Sequence, residues 1–128
     1  MATSSGQYGI CMTEDAVFEL LTLECRVDEY GTVRYYNAQG RLHRVYGPAV
    51  KYADGTHVWY QNGQTHRVGD PAVVNADGCK VWYQDGLLHR LDGPAIISVE
   101  GGQSWFINGK PLTQAEWQQA VASMGPYV

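Results

Sequence analysis

WYQDGLLHRLDGPAI, residues 82–96, sets a histidine and an arginine side by side between an Asp-Gly turn signal and a Gly-Pro break. Taken alone, His89-Arg90 suggests acid–base or phosphate chemistry. The same phrase stands upstream as WYQNGQTHRVGDPAV from Trp59 and, with small changes, as YYNAQGRLHRVYGPAV from Tyr35. His43-Arg44, His66-Arg67 and His89-Arg90 recur every 23 residues, and Trp59, Trp82 and Trp105 keep the same step. A second phrase runs in phase: ADGTHVWY from Ala53, ADGCKVWY from Ala76 and the weaker VEGGQSWF from Val99. Self-similarity at a fixed period in the twenties is the signature of a repeat architecture and outranks any single-residue motif. The histidine-arginine pair is therefore read first as one element of a repeated unit.

Within a unit, KVWYQ and PAVVNA are short and rich in β-branched and aromatic residues, and turn signals separate them. Each unit reads as two strands with two tight connections. Gly55 and Gly78, after Asp54 and Asp77, suit hairpin turns because glycine tolerates positive φ. Asn62-Gly63, Asp85-Gly86 and Asn108-Gly109 repeat that chemistry at the other end of the strand. Pro48, Pro71 and Pro94 follow each His-Arg stub, where the missing N–H ends pairing or marks an edge. The first unit carries one extra residue, placed in the NAQG loop because an insertion inside the strand would turn its inward side chains outward.

Alternation sends each Trp and the aromatic after it to opposite faces of the sheet. One face is expected to carry Tyr35, Trp59, Trp82 and Trp105, the other Tyr36, Tyr60, Tyr83 and Phe106. A stack of hairpins does not bury both faces unaided, so a helix, a second copy of the chain or another partner has to cover one of them. Residues 1–30 read as an N-terminal cap: residues 20–28 alternate, with Leu21, Leu23, Cys25 and Val27 on one side, as in a strand. The preceding TEDAVFEL fits a short helical turn or an earlier strand. Residues 31–112 hold the hairpins, and 113–128 form a C-terminal capping helix and tail. There Thr113 and Glu116 make a capping box, Ala115, Trp117, Ala120, Val121 and Met124 share a face, and Gly125-Pro126 stops the helix.

Composition narrows the function classes. The chain has 128 residues, 45% hydrophobic and 17% charged, which is the profile of one globular domain. Its nine Tyr and four Trp against two Phe suit half-wet surfaces, since each pairs an apolar body with a polar tip. A net charge of −4 argues against nucleic acid, which needs a basic face. Three cysteines, Cys11, Cys25 and Cys79, without CxxC pairing point to a reduced cytoplasmic setting. MATSSGQYGI has neither a basic start nor a long apolar run, so neither a signal peptide nor a membrane association is expected.

The pattern resembles MORN-type repeats, specifically the MORN-like variants of small bacterial and phage proteins with WY-x-NG-x-x-HR-x-DGPA phrases. The matching residues are Trp59-Tyr60, Asn62-Gly63, His66-Arg67 and Pro71-Ala72, then Trp82-Tyr83, Asp85-Gly86, His89-Arg90 and Asp92-Gly93-Pro94-Ala95. The resemblance covers residues 31–113 and implies a mainly β fold, an antiparallel β-hairpin repeat meander of about four units. It brings no catalytic residues. Eukaryotic MORN units are richer in glycine and lack the His-Arg pair, so their lipid-binding role is not carried over.

Each sharp reading has a plainer competitor. Three stacked histidines suggest a metal, but equivalent positions in successive units point in parallel, so His43, His66 and His89 are expected to bond neighbouring turns. Arg44, Arg67 and Arg90 interleaved with tyrosines resemble a nucleic-acid stacking platform. The acids Asp54, Asp70, Asp77, Asp85, Asp92 and Glu100 recur in the same units, however, and can pair with them. No nucleophile elbow, phosphate loop or metal-ligand spacing is present, and like groups are spread evenly rather than unlike groups gathered. The expectation is a non-enzymatic protein-binding module without cofactor or metal, using Tyr36, Tyr60, Tyr83, Arg44, Arg67 and Arg90 toward a partner, with a homodimer as one way to cover an aromatic face. Trp59, Trp82, Trp105, His43, His66, His89, Gly55, Gly78, Pro48, Pro71 and Pro94 are the structural set. The resemblance implies a phage setting, the host cytoplasm, and an inhibitor of a host defence protein such as a CRISPR nuclease complex. An antitoxin or immunity partner of a toxin and a virion or assembly component are the alternatives, with a nucleic-acid binder last.

Overall fold

The computed structural model describes residues 13–125; Cys11, the first ten residues and Pro126 lie outside the described residues. The chain opens with helix α1, Glu14–Thr22, whose N-terminus is capped by the Thr13 hydroxyl accepting from the Ala16 N–H at 3.1 Å. Strand β1, Glu24–Val27, follows at once and pairs antiparallel with β2, Val33–Tyr36. The alternation expected over residues 20–28 therefore forms a strand only in its second half. Residues 20–22 complete the helix that Thr13 starts, and the Leu23 N–H closes it by bonding Glu19 O at 3.0 Å. All four β1 side chains are exposed, so the expected alternation produces no buried side of this strand.

Next come β3 (Val50–Lys51), β4 (His57–Val58), β5 (Tyr60–Gln61), β6 (Gln64–Thr65) and β7 (Val73–Val74). The pattern is then repeated by β8 (Lys80–Val81), β9 (Tyr83–Gln84), β10 (Leu87–Leu88) and β11 (Ile96–Ile97), before β12 (Gln103–Ile107), β13 (Lys110–Leu112) and helix α2 (Gln114–Ser123). One antiparallel sheet of nine strands runs β1-β2-β3-β4-β7-β8-β11-β12-β13. The WY segments join two sheets. β4 lies in this sheet between β3 and β7, while β5, just beyond Trp59, turns back on β6. These hairpins are tied side by side: the N–H groups of Arg44, Arg67 and Arg90 donate to the carbonyls of Tyr60, Tyr83 and Phe106 at 3.0, 3.1 and 3.2 Å. The molecule is thus a mainly β, antiparallel hairpin meander closed by a C-terminal helix.

Two turn chemistries hold the two ends. Asn62-Gly63, Asp85-Gly86 and Asn108-Gly109 have positive φ at both positions, from 50° to 83°, as a two-residue type I′ hairpin requires. At the opposite end only the glycine is left-handed: Gly55 and Gly78 have φ near 99° and 100°. There the Asp54 and Asp77 carboxylates accept from the Thr56 and Cys79 N–H groups at 2.8 and 3.0 Å, a type I turn followed by a glycine bulge. Asn37–Arg41 uses this longer form, with Gly40 at φ 79°, where later units use Asn-Gly.

The core is narrow and depends on small residues. Ala49, Ala72 and Ala95, each following a Gly-Pro or Asp-Pro step, are completely buried. Their carbonyls accept from the Tyr35, Trp59 and Trp82 N–H groups at 2.8, 2.7 and 2.7 Å, so each buried alanine runs beside the first aromatic of its unit. Of the tryptophans, only Trp82 is buried, at 8% exposure. On α2 the capping box forms as expected, Thr113 and Glu116 bonding each other's backbone N–H. Trp117, Ala120 and Val121 are half-buried, but Ala115 and Met124 are exposed: the helix packs against β12 and β13 with only part of the expected stripe. Among the described residues no helix is long and apolar enough to cross a membrane.

Candidate partner-binding surface

The arginines are built into the loops that follow them. Each guanidinium lies over the ring that opens its own unit: Arg44 over Tyr35 at 4.4 Å, Arg67 over Trp59 and Arg90 over Trp82 at 3.8 Å to the ring centre. Each also donates to the carbonyl of the proline four residues on, at 3.4, 3.2 and 3.0 Å. One cation thereby clamps the loop onto the aromatic, an arrangement worth about 0.5–2 kcal/mol per ring contact. Exposure differs: Arg44 is buried, whereas 30% of the Arg67 and 19% of the Arg90 side chain reach solvent. The pairing acids are local, Asp92 bonding Arg90 Nε at 2.8 Å and Asp70 lying 3.7 Å from Arg67. Tyr46 occupies the position of Asp92 in the first loop, and Arg44 Nε has no partner among the described residues.

The histidines do a different task. Nδ1 of His43, His66 and His89 accepts the N–H of Asn62, Asp85 and Asn108 at 3.0, 2.9 and 3.0 Å. Each acceptor holds the first left-handed residue of the next turn, so each ring links one unit to its successor. Accepting at Nδ1 requires that nitrogen to be unprotonated, with the ring proton on Nε2. Burial pushes the His89 pKa below its usual value, with the Asp85 charge opposing. The three rings serve three separate turns, and no cluster of three or more potential metal ligands occurs among the described residues.

The second aromatic of each WY pair reaches the surface. Tyr36 ends β2 opposite Glu24, with the Arg26 guanidinium 4.8 Å from its ring. Tyr60 opens β5 opposite Thr65, and Tyr83 opens β9 opposite Leu88. All three residues are half-buried and take equivalent positions on hairpins tied side by side.

Two residues not expected among the partner-binding or repeat residues complete the ends. Glu19 on α1 accepts the N–H groups of Val45 and Tyr46 at 2.6 and 2.9 Å, fastening the helix to the first arginine loop. Nothing local marks it, since its partners lie 26 and 27 residues away. At the other end Trp117 packs on Trp105 with ring centres 4.6 Å apart, and its Nε1 donates to Arg90 O at 2.8 Å. Thr113 stands where a further arginine would fall in the 23-residue step, so the helix supplies an indole where earlier units supply a guanidinium. Compared with protein-family models, curated proteins and solved structures, the chain matches none.

Proposed function

We propose that the protein is a non-enzymatic protein-binding module of the MORN-like hairpin type, with the row Tyr36, Tyr60 and Tyr83 at the centre of its contact surface. The observation carrying this reading is the division of labour within each unit: the groups able to do chemistry, His and Arg, are tied to turns and loops, while the tyrosine is left half-exposed in register. Rigid, amphipathic rings on a fixed strand lattice are what a protein contact uses as anchors, because little conformational freedom is lost on binding. Arg67 and Arg90, part-exposed over Trp59 and Trp82, add charge to the surface of those units; Arg44 acts through the shape of its loop.

From the resemblance, the partner is a bacterial defence effector such as a CRISPR nuclease complex, and the protein acts by occupying it. Affinity capture with the wild type and with Tyr60→Ala and Tyr83→Ala, alongside phage plating on a host with an active defence system, tests both levels. The expected result is a defence protein retained by the wild type and released by both variants at unchanged Tm, with plating restored only by the wild type. Retention undiminished by either variant would falsify the tyrosine surface; a retained partner from outside host defence would remove the inhibitor reading alone.

A further inference from the structure

Among the described residues strand β1 is the open edge of the nine-strand sheet, and it differs from the opposite end, where α2 packs against β12 and β13. The Asp28 N–H bonds Thr32 O at 3.1 Å in line with the β1–β2 register, so the even-numbered residues Glu24 and Arg26 direct their backbone groups toward β2. Cys25 and Val27 therefore direct theirs outward, and the Leu23 carbonyl, past the end of α1, does the same. An unpaired row of this kind is a template for another strand.

The sequence across this edge, Leu23-Glu24-Cys25-Arg26-Val27, is complementary to itself when reversed. We propose that the occupant of this edge is a second copy of the chain, its β1 paired antiparallel about a two-fold axis through Cys25. In that register Glu24 lies opposite the partner's Arg26 and Arg26 opposite the partner's Glu24 on one face. On the other face Cys25 meets Cys25 and Val27 meets Leu23. Reciprocal bonds form between the two Cys25 residues, and each Val27 N–H donates to the facing Leu23 carbonyl. Sliding by one two-residue step in either direction puts Arg26 against Arg26 or Glu24 against Glu24, which like-charge repulsion disfavours. The proposal goes beyond the tyrosine row and does not depend on it.

Light scattering and sedimentation of the wild type, Glu24→Arg, Arg26→Glu and their equimolar mixture decide the matter. Expected are twice the chain mass for the wild type at ~100 μM, the monomer mass for each variant alone, and the doubled mass again in the mixture, since only unlike variants then match across the axis. Val27→Pro, which removes an outward N–H and leaves the β1–β2 bonds intact, is expected to be a folded monomer. In a Cys11→Ser/Cys79→Ser background, a short bis-maleimide is expected to join Cys25 to Cys25. The proposal fails if the wild type is monomeric throughout, if either charge variant dimerises as the wild type does, or if the mixture stays monomeric.

Discussion

Loop 67–71 carries its glycine one place earlier than loop 90–94: Val68-Gly69-Asp70 against Leu91-Asp92-Gly93. Both loops clamp their arginine over the tryptophan of the same unit, yet glycine is required for different reasons. At Gly93 a Cβ would stand 2.7 Å from the Arg90 guanidinium carbon, so the side chain is excluded by the cation lying there. Gly47 in the first loop is in the same situation, 2.6 Å from Arg44. At Gly69 nothing approaches within 4 Å, but φ is +86°, a left-handed conformation that side chains resist. One recurring phrase is thus solved twice, once by close approach and once by backbone twist.

The largest expected difference between these units lies at the rings. Trp82→Ala should cost about 3–5 kcal/mol, as for other buried aromatics, and Trp59→Ala less because that ring is half-exposed. Urea midpoints of the two variants measure the gap, and equal losses would show that both loops rest equally on their rings. Next, asparagine separates the two glycines. Gly69→Ala should lose about 1–2 kcal/mol and Gly69→Asn less, because Asn enters left-handed backbone more readily. Gly93→Asn should be no better than Gly93→Ala, since either Cβ displaces Arg90 from Trp82. Thermal unfolding of the four variants checks this crossover.

A smaller effect is expected where the first loop is fastened from outside. Glu19→Ala should remove about 1 kcal/mol and speed hydrogen exchange at the Val45 and Tyr46 amides, leaving those of Leu91 and Asp92 unchanged. The smallest effect is the pH response. The folded-state pKa of His89 lies below its ordinary value of 6.5, so the folded protein binds fewer protons than the unfolded chain just below that pH. The stabilising contribution is then complete above pH 6.5 and is lost as pH falls through the lowered folded value. The Tm should decline on acidification, and His89→Asn should flatten that decline; an unchanged slope in the variant would locate the pH response elsewhere.

Much of this design is legible before any fold is known. The 23-residue step, the Asn-Gly and Asp-Gly turns and the Thr113–Glu116 box are local, because each rests on dihedral preferences or on bonds between near neighbours. The extent of β1 was not legible, because Leu21 and Leu23 alternate as a strand does while a cap at Thr13 draws residues 14–22 into a helix. Nor was the destination of the arginines. Charge pairing with the recurring acids accounts for Asp92 and, at longer range, Asp70, but the proline carbonyl and the aromatic face become partners only once the loop has closed. Glu19 was silent for the same reason, as were the partners of Trp117, each contact joining residues more than ten apart.

By itself the sequence determined the period, the turn positions and the antiparallel character of the chain, since these follow from backbone sterics acting over a few residues. Tertiary structure alone decided how recurring side chains are used: which arginine is buried, which glycine makes room and which twists, and which strand stands at the sheet edge among the described residues. Those outcomes depend on what packs against a residue from the next unit or from the ends of the chain, where an identical local phrase meets a different environment.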